Sequence, residues 1–245
     1  MINKRWIMAL GAVLLALPAA AFAQQLSLDM GEGGGSATAR MIQIVALITM
    51  LSIAPSLLLM VTSFTRIIIV LSFVRTALGT ATTPPNQVLI ALSMFLTFFI
   101  MAPTFKTSYE EGILPLVEER ISEEEAMKKA AEPFHKFMLF HAREKDLNLF
   151  MSISKTKVEK PEMTPYEVLI PAFMISELRR AFEIGFLIFI PFLIIDLLVA
   201  SILMAMGMMM LPPVVISLPF KLIFFVLVDG WYMVAGSLVR SFGGL

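Results

Sequence analysis

Between Pro171 and Trp231 the sequence is almost wholly apolar, yet it carries Asp196, Lys221, Asp229 and the run Met208, Met209 and Met210. A charge at the centre of an apolar segment costs roughly 2.5–3.5 kcal/mol on insertion scales, so Asp196 and Lys221 need a partner or a polar cavity. The break GMMMLPP, from Gly207 to Pro213, folds the stretch back on itself as a hairpin. With the tip near Met210, Asp196 lies 14 residues before it and Lys221 lies 11 after it. At about 1.5 Å per residue their depths are roughly 21 Å and 16 Å, a difference that a lysine stem spans. An Asp196–Lys221 ion pair is therefore expected, within one hairpin or between neighbouring copies. It is either a clamp that neutralises two costly charges or a proton or ion relay, with Asp229 a further interfacial partner.

The rest of the composition agrees with this unusual solvent. Of 245 residues 58% are hydrophobic and only 16% charged, and the net charge is zero. No basic stripe or base-reading motif points to nucleic acid. The absence of Cys removes disulfides, thiol chemistry and Cys-ligated metals together. The N-terminus reads as a signal peptide over residues 1–23: Lys4 and Arg5, an apolar run from Trp6 to Leu17, and a small-x-small cleavage site at Ala21-Phe22-Ala23. A flexible mature N-terminus follows over 24–40, with GEGGGS (Gly31 to Ser36) as a tether.

Met41 to Ser63 is the first long apolar segment, with Pro55 as a kink. Arg66 and Arg75 bracket an apolar run too short to span a membrane alone, and GTATTPPN (Gly79 to Asn86) is a turn. Val88 to Ala102 is a second apolar segment, so residues 41–105 form an N-terminal apolar helical hairpin region. Residues 106–167 are a polar helical insertion on the periplasmic side. Ser122 and Glu125 make a capping box there, Glu124–Lys128 and Glu125–Lys129 are i,i+4 pairs, and Pro133 is expected to end that helix. Phe134, Phe137, Met138 and His141 mark the apolar face of the next helix. Residues 168–245 form the C-terminal apolar hairpin, with segments Ile184 to Leu211 and Val214 to Val239. Four such segments, counted as spans from an outside N-terminus, put Arg66 and Arg75 in an inner loop, in keeping with the positive-inside rule. Hairpins buried mainly against protein fit the same pattern. The fold class is all-α, built of integral membrane-type helical hairpins.

Two further groups stand out. Glu177, Arg179, Arg180 and Glu183 form a charged turn ahead of the apolar run, with Glu177–Arg180 and Arg179–Glu183 at i,i+3 and i,i+4. They are a solvated helix face or a subunit contact. Met208, Met209 and Met210 are apolar filler, or flexible, polarizable side chains projecting from a tight turn as a soft collar. Catalysis finds no support. His135 and His141 lie six apart with no carboxylate at metal-ligand spacing, and no P-loop, GxSxG or dinucleotide fingerprint occurs. A non-enzyme without cofactor or metal is expected.

Ordered blocks then carry a resemblance. They are Val61 to Thr80 (VTSFTRIIIVLSFVRTALGT), Pro84 to Leu89 (PPNQVL) and Leu96 to Pro103 (LTFFIMAP). They continue as Ser176 to Phe186 (SELRRAFEIGF), Ile190 to Pro213, and Ile216 to Trp231 (ISLPFKLIFFVLVDGW). The chain resembles the FliP family, integral components of the flagellar type III export gate, from Met41 onward, with only the insertion loosely matched. The resemblance implies a cleavable signal peptide and a multi-copy helical assembly with FliQ and FliR at the flagellar basal body, much of it above the inner-membrane plane. It implies FlhA, FlhB and FliO as further partners and unfolded flagellar proteins as the cargo. It implies that Met208, Met209 and Met210 line the closed pore as a gasket. It also implies that Arg143, Asp196 and Lys221 make intersubunit charge contacts. The virulence counterpart of FliP is a close relative, and an ion-coupled transporter built on Asp196 and Lys221 is the alternative from another class.

Overall fold

The computed structural model describes residues 37–156, 158, 160–208 and 210–243. The expected signal peptide, its cleavage site and the Gly-rich tether lie outside them, as does Met209. Among the described residues the chain is helical without strands. It divides into two units, residues 1–50 and 51–245. In the first, the start of helix α1 (Ala37–Met60) carries Thr49, whose hydroxyl donates to the Val45 carbonyl at 2.7 Å.

The second unit is organised around two helices. Helix α2 (Phe64–Ala77) repeats apolar residues at helical spacing, and Ile67, Val70, Leu71, Val74 and Ala77 are all fully buried. They pack on α7 (Tyr166–Ala205), a helix of 40 residues and thus about 60 Å long. From α7 the face bearing Leu169, Ala172, Phe173, Ser176, Glu177 and Ala181 meets the core. Gly185 admits the Phe73 ring where a Cβ would stand.

Helix α3 (Asn86–Ser108) buries a stripe of small and hydroxyl residues, Ser93, Thr97, Thr104 and Ser108 among them. Two of these hydroxyls are satisfied inside the helix: Ser93 donates to Leu89 O and Thr97 to Ser93 O, each at 2.7 Å. Leu89, Ile100 and Met101 join the core, whereas Phe95, Phe98 and Phe99 face outward, Phe95 being 75% exposed. A π-helical turn (Tyr109–Ile113) and a short α4 (Leu114–Val117) continue α3, so the composition boundary near residue 106 falls inside one helical run, Asn86–Val117. The π-turn presents Gly112 to Ala130 of α5 (Glu123–His141), and Ser108 Oγ donates to Ala130 O at 2.7 Å.

Pro133 does not end a helix: α5 runs through it to His141. Proline removes one backbone hydrogen bond, but Ala126, Pro133, Phe137, Met138 and His141 form one buried face whose packing outweighs that loss. Ser122 caps α5 by accepting from the Glu125 amide, and Lys128–Glu124, Lys129–Glu125 and Lys136–Glu132 pair along its outer side. Helix α6 (Glu144–Ser154) closes on a left-handed Lys155, and a 3-10 turn (Pro161–Met163) leads into α7. After α7 come α8 (Pro213–Leu227) and α9 (Gly230–Ser241), bent 62° from each other at Val228 and Asp229.

Two helical runs among the described residues, Asn86–Val117 and Tyr166–Ala205, are long and apolar enough to cross a membrane; α8 and α9 supply a third only if taken as one bent span. Both arginines expected between the first two apolar segments lie on helix α2. Arg66 is buried in the core rather than in a loop. Arg75 donates to Asn86 Oδ1 at 2.6 Å and to Pro84 O at 3.2 Å, fastening α2 to the start of α3.

Candidate functional site

Three charged clusters hold other elements against α7. The first is in the hairpin of α7 and α8. Lys221 Nζ lies 2.6 Å from Asp196 Oδ2, and Ser217, one turn before Lys221, donates to Asp196 Oδ1. Both partners belong to the same hairpin of one chain. Lys221 is only 3% exposed. Its ammonium reaches past α7 to the α2–α3 turn, 4.0 Å from where a Cβ on Gly79 would stand. Gly79 has φ +77°, a left-handed value that glycine adopts without strain. The pair thus joins α7, α8 and the turn after α2.

The second cluster is one that sequence spacing pointed away from. Glu177 does not pair with Arg180. It takes a bidentate fork from Arg66, 111 residues earlier, with Nε donating to Oε2 at 2.8 Å and Nη2 to Oε1. Helix phase explains the exchange. Glu177 shares the buried face with Phe173 and Ala181, whereas Arg179 and Glu183 share an exposed face and pair there at 2.7 Å. Arg66 Nη1 also donates to Ser241 Oγ at 3.0 Å and Ser241 O at 3.3 Å, and its guanidinium sits 3.6 Å above the Phe242 ring. One arginine therefore ties α2, α7 and the end of α9 together. The only advance sign was that Arg66 directly precedes the apolar run Ile67 to Leu71 on α2.

The third cluster surrounds Arg143, the residue before α6. Its guanidinium donates to both oxygens of Asp146, each at 2.8 Å, and its amide donates to Ser176 Oγ at 2.9 Å. Ser176 in turn donates to Asp146 Oδ2 at 2.6 Å. Burial by itself raises the Asp146 carboxyl, but the bonds from Ser176 and Arg143 prevail and hold it below its usual value. Beside this cluster His141 is enclosed by Phe137, Phe140 and Phe242, with Nδ1 2.9 Å from Phe137 O. Burial pulls its pKa down to about 4, aided by the nearby Arg66 and Arg180. His135 is separate, set against Thr164 O at 2.7 Å and edge-on to Tyr166. Among the described residues no group of three or more His, Asp or Glu is arranged to hold a metal.

The methionine turn closes the hairpin. Gly207 takes φ +74° with nothing near the position of a Cβ, and Met208 N donates to Leu203 O at 2.9 Å. Pro212 and Pro213 begin α8. Met208 is exposed and Met210 is 99% exposed. Met204 and Met206, which sequence reasoning passed over, are exposed beside them and extend the methionine surface onto the end of α7. The polarity of the hairpin beyond Glu183 is inverted: Asp196 and Lys221 are turned toward each other inside it, while Phe186, Leu193, Leu197 and Val226 face out.

Comparison with known proteins gives this architecture a family. The sequence model of the FliP family matches residues 47–238. The chain is 56% identical over 239 residues to the flagellar biosynthetic protein FliP of Caulobacter vibrioides, covering 96% of this chain and 90% of that protein. It is 52% identical over 236 residues to the Agrobacterium fabrum protein of the same name, covering 94% and 96%. With that of Bacillus subtilis it shares 58% identity over 204 residues, covering 82% and 91%. The chain belongs to the FliP family.

Proposed function

We propose that the protein is a core, non-enzymatic subunit of the flagellar type III protein export gate, and that its methionine-rich turn closes the channel. The observation that carries this reading is the turn itself: Met208 and Met210 stand exposed at the tip of a hairpin braced by the buried Asp196–Lys221 pair. Thioethers are apolar, flexible and polarizable, so a ring of such tips seals against ions and still yields to unfolded chains of any sequence. Met209 completes the tip in sequence. The bracing charges fix the hairpin so that only the tip needs to deform.

In this reading several copies assemble with FliQ and FliR homologues, assisted by FliO and served by FlhA and FlhB. The complex lies at the bacterial inner membrane in the flagellar basal body, mostly toward the periplasm, after removal of residues 1–23. The inverted surface supports an assembly, because apolar faces of this extent demand lipid or protein neighbours. Residues 106–167 then form the periplasmic-side helical portion and 168–245 the pore hairpin. Replacing Met208, Met209 and Met210 together by Ala tests the gasket. The complex should still assemble while the resting membrane leaks ions, measured as collapse of membrane potential in cells that express the gate. Normal permeability together with normal secretion sinks the gasket.

A further inference from the structure

Both chains of the α7–α8 hairpin are interrupted at the level where it leaves the rest of the molecule. Among the described residues the hydrophobic core takes in Phe192 from α7 and Phe225 from α8, and nothing of either helix nearer the tip. Pro191 stands at that level on α7. It has no amide N–H, so the Leu187 carbonyl loses its partner within the helix. The returning chain breaks just after α8, where Asp229 takes a left-handed φ of 50° and α9 departs at 62°. Pro191, Phe192, Val228 and Gly230 border one cleft of about 500 Å³, so the two interruptions face each other and neither is packed on that side.

The supporting helix stops at the same level. Arg66 pairs with Glu177, 111 residues on, and Phe73 packs on Gly185, so α2 runs parallel to α7. That offset sets Ala77, where α2 ends, beside Ile188, about one turn short of Phe192. The turn after α2 meets Lys221 at Gly79, which has no side chain with which to grip it. Nearer the tip the two helices hold each other instead. Asp196 accepts from both Lys221 and Ser217, and Phe192 meets Phe224 edge-on at 6.0 Å. Pro219 is the other proline of this region of the hairpin, and it lies between Ser217 and Lys221, whose bonds to Asp196 splint it.

We propose that residues 192–227 are a rigid arm that pivots at Pro191 and at Val228–Asp229, and that cargo opens the gate by swinging this arm. A helix bends most readily where a backbone bond is already missing, and the α8–α9 break is already bent. Bending within the arm would instead strain the buried bonds to Asp196. Moving as a unit, the arm withdraws its methionines from the channel and keeps its charges paired. The purpose of the swing rests on the export-gate reading, whereas the pivot is a property of one chain.

The sequence has no Cys, so introduced thiols are the only ones in the chain. Leu187 and Ile194 are both exposed and lie on either side of Pro191. The L187C/I194C pair, bridged by bis(bromomethyl)biphenyl over about 10 Å, splints α7 across the proline. I194C/S201C, bridged in the same way, splints the same helix inside the arm. Membrane vesicles that carry the complete gate are treated with the reagent, and passage of a flagellar cargo protein and resting ion leak are measured. The bridge across Pro191 should lower cargo passage roughly ten-fold without added leak. The I194C/S201C bridge should leave passage at the level of the treated parent chain. P191A, which restores the missing bond and favours the helix, should also slow passage at normal complex yield. Undiminished passage through the bridged L187C/I194C gate overturns the pivot. So does an equal loss with I194C/S201C, or with benzyl bromide, which alkylates without bridging. The seal is judged separately: if the Met208–Met210 alanine variant does not leak while the bridge across Pro191 still stops passage, the gasket is wrong and the pivot stands.

Discussion

Lys221 and Asp196 lie within one apolar hairpin, and neither charge is tolerable there without the other. Asp196→Ala leaves an almost fully buried ammonium without its carboxylate, and should destabilise the chain by about 3 kcal/mol, the low end for breaking a buried pair because Asp196 is itself partly exposed. Asp196→Leu with Lys221→Met removes both charges and should recover most of that loss. Thermal unfolding of the detergent-solubilised chain separates the cases: a double variant as unstable as D196A would mean that the pair contributes more than neutralisation. If the pair is a relay, the double variant instead regains stability and loses secretion. His141 gives a pH signature. Its folded pKa of about 4 lies below the ordinary value of 6.5, so as pH falls the unfolded state takes up the proton first. Stability contributed by the neutral ring is complete above about pH 6.5, declines between there and about pH 4, and is lost in full below, with a total of up to about 3 kcal/mol. His141→Phe should flatten that part of the pH–stability curve; an unchanged slope would show that another group titrates. The two buried pairs also show what spacing can reveal. Asp196 and Lys221 share one hairpin, so residue counting alone brings them level. Arg66 and Glu177 are joined only by the packing of α2 on α7, and no local rule reaches across 111 residues.

At the scale of elements, apolar periodicity marks the helices well and their ends poorly. The hairpin of α7 and α8 is readable because Gly207 and the Pro212-Pro213 pair punctuate a long apolar run. Pro133 misleads because proline's cost is local and the burial that outweighs it comes from Phe137, Met138 and His141 docking on other helices. The π-turn at Tyr109–Ile113 has no sequence signature of its own beyond Gly112. That glycine has a strict steric purpose. A Cβ there would come within 2.6–2.7 Å of the Cβ, Cα and N of Ala130, and two of those atoms are backbone that cannot rotate away. Gly112→Val should push α5 off the π-turn, break the Ser108–Ala130 bond and cost on the order of 2 kcal/mol. Limited proteolysis reads this directly, as new cleavage between residues 114 and 123. A variant as resistant as the parent would show that the π-turn relaxes without displacing α5.

For the whole molecule the decisive fact is where the polarity sits. Each ion pair on the inner side of α7 has a partner from another element, whereas α3 and α7 turn Phe95, Phe99, Phe182, Phe186 and Leu197 outward. Surface of that kind is unstable in water and must meet acyl chains or neighbouring proteins. Lipid alone accounts for a uniform apolar belt. It does not account for Met204, Met206, Met208 and Met210 gathered at one hairpin tip, which a self-sufficient single chain has no reason to concentrate. In the proposed gate, repetition of the tip around an axis gives the cluster a purpose, and such repetition requires several copies. Native mass spectrometry of the full chain, co-expressed with its genomic neighbours and released from detergent, therefore should show one discrete multi-copy complex that includes two small membrane partners. The R143A and E177A variants, which cut α6 and α2 from α7, should lower the yield of that complex, while the Met208–Met210 alanine variant should not. A stable monomer that ignores its neighbours would break the link between the inverted surface and assembly, and would leave the Asp196–Lys221 pair as the place to look for a transport activity of the single chain.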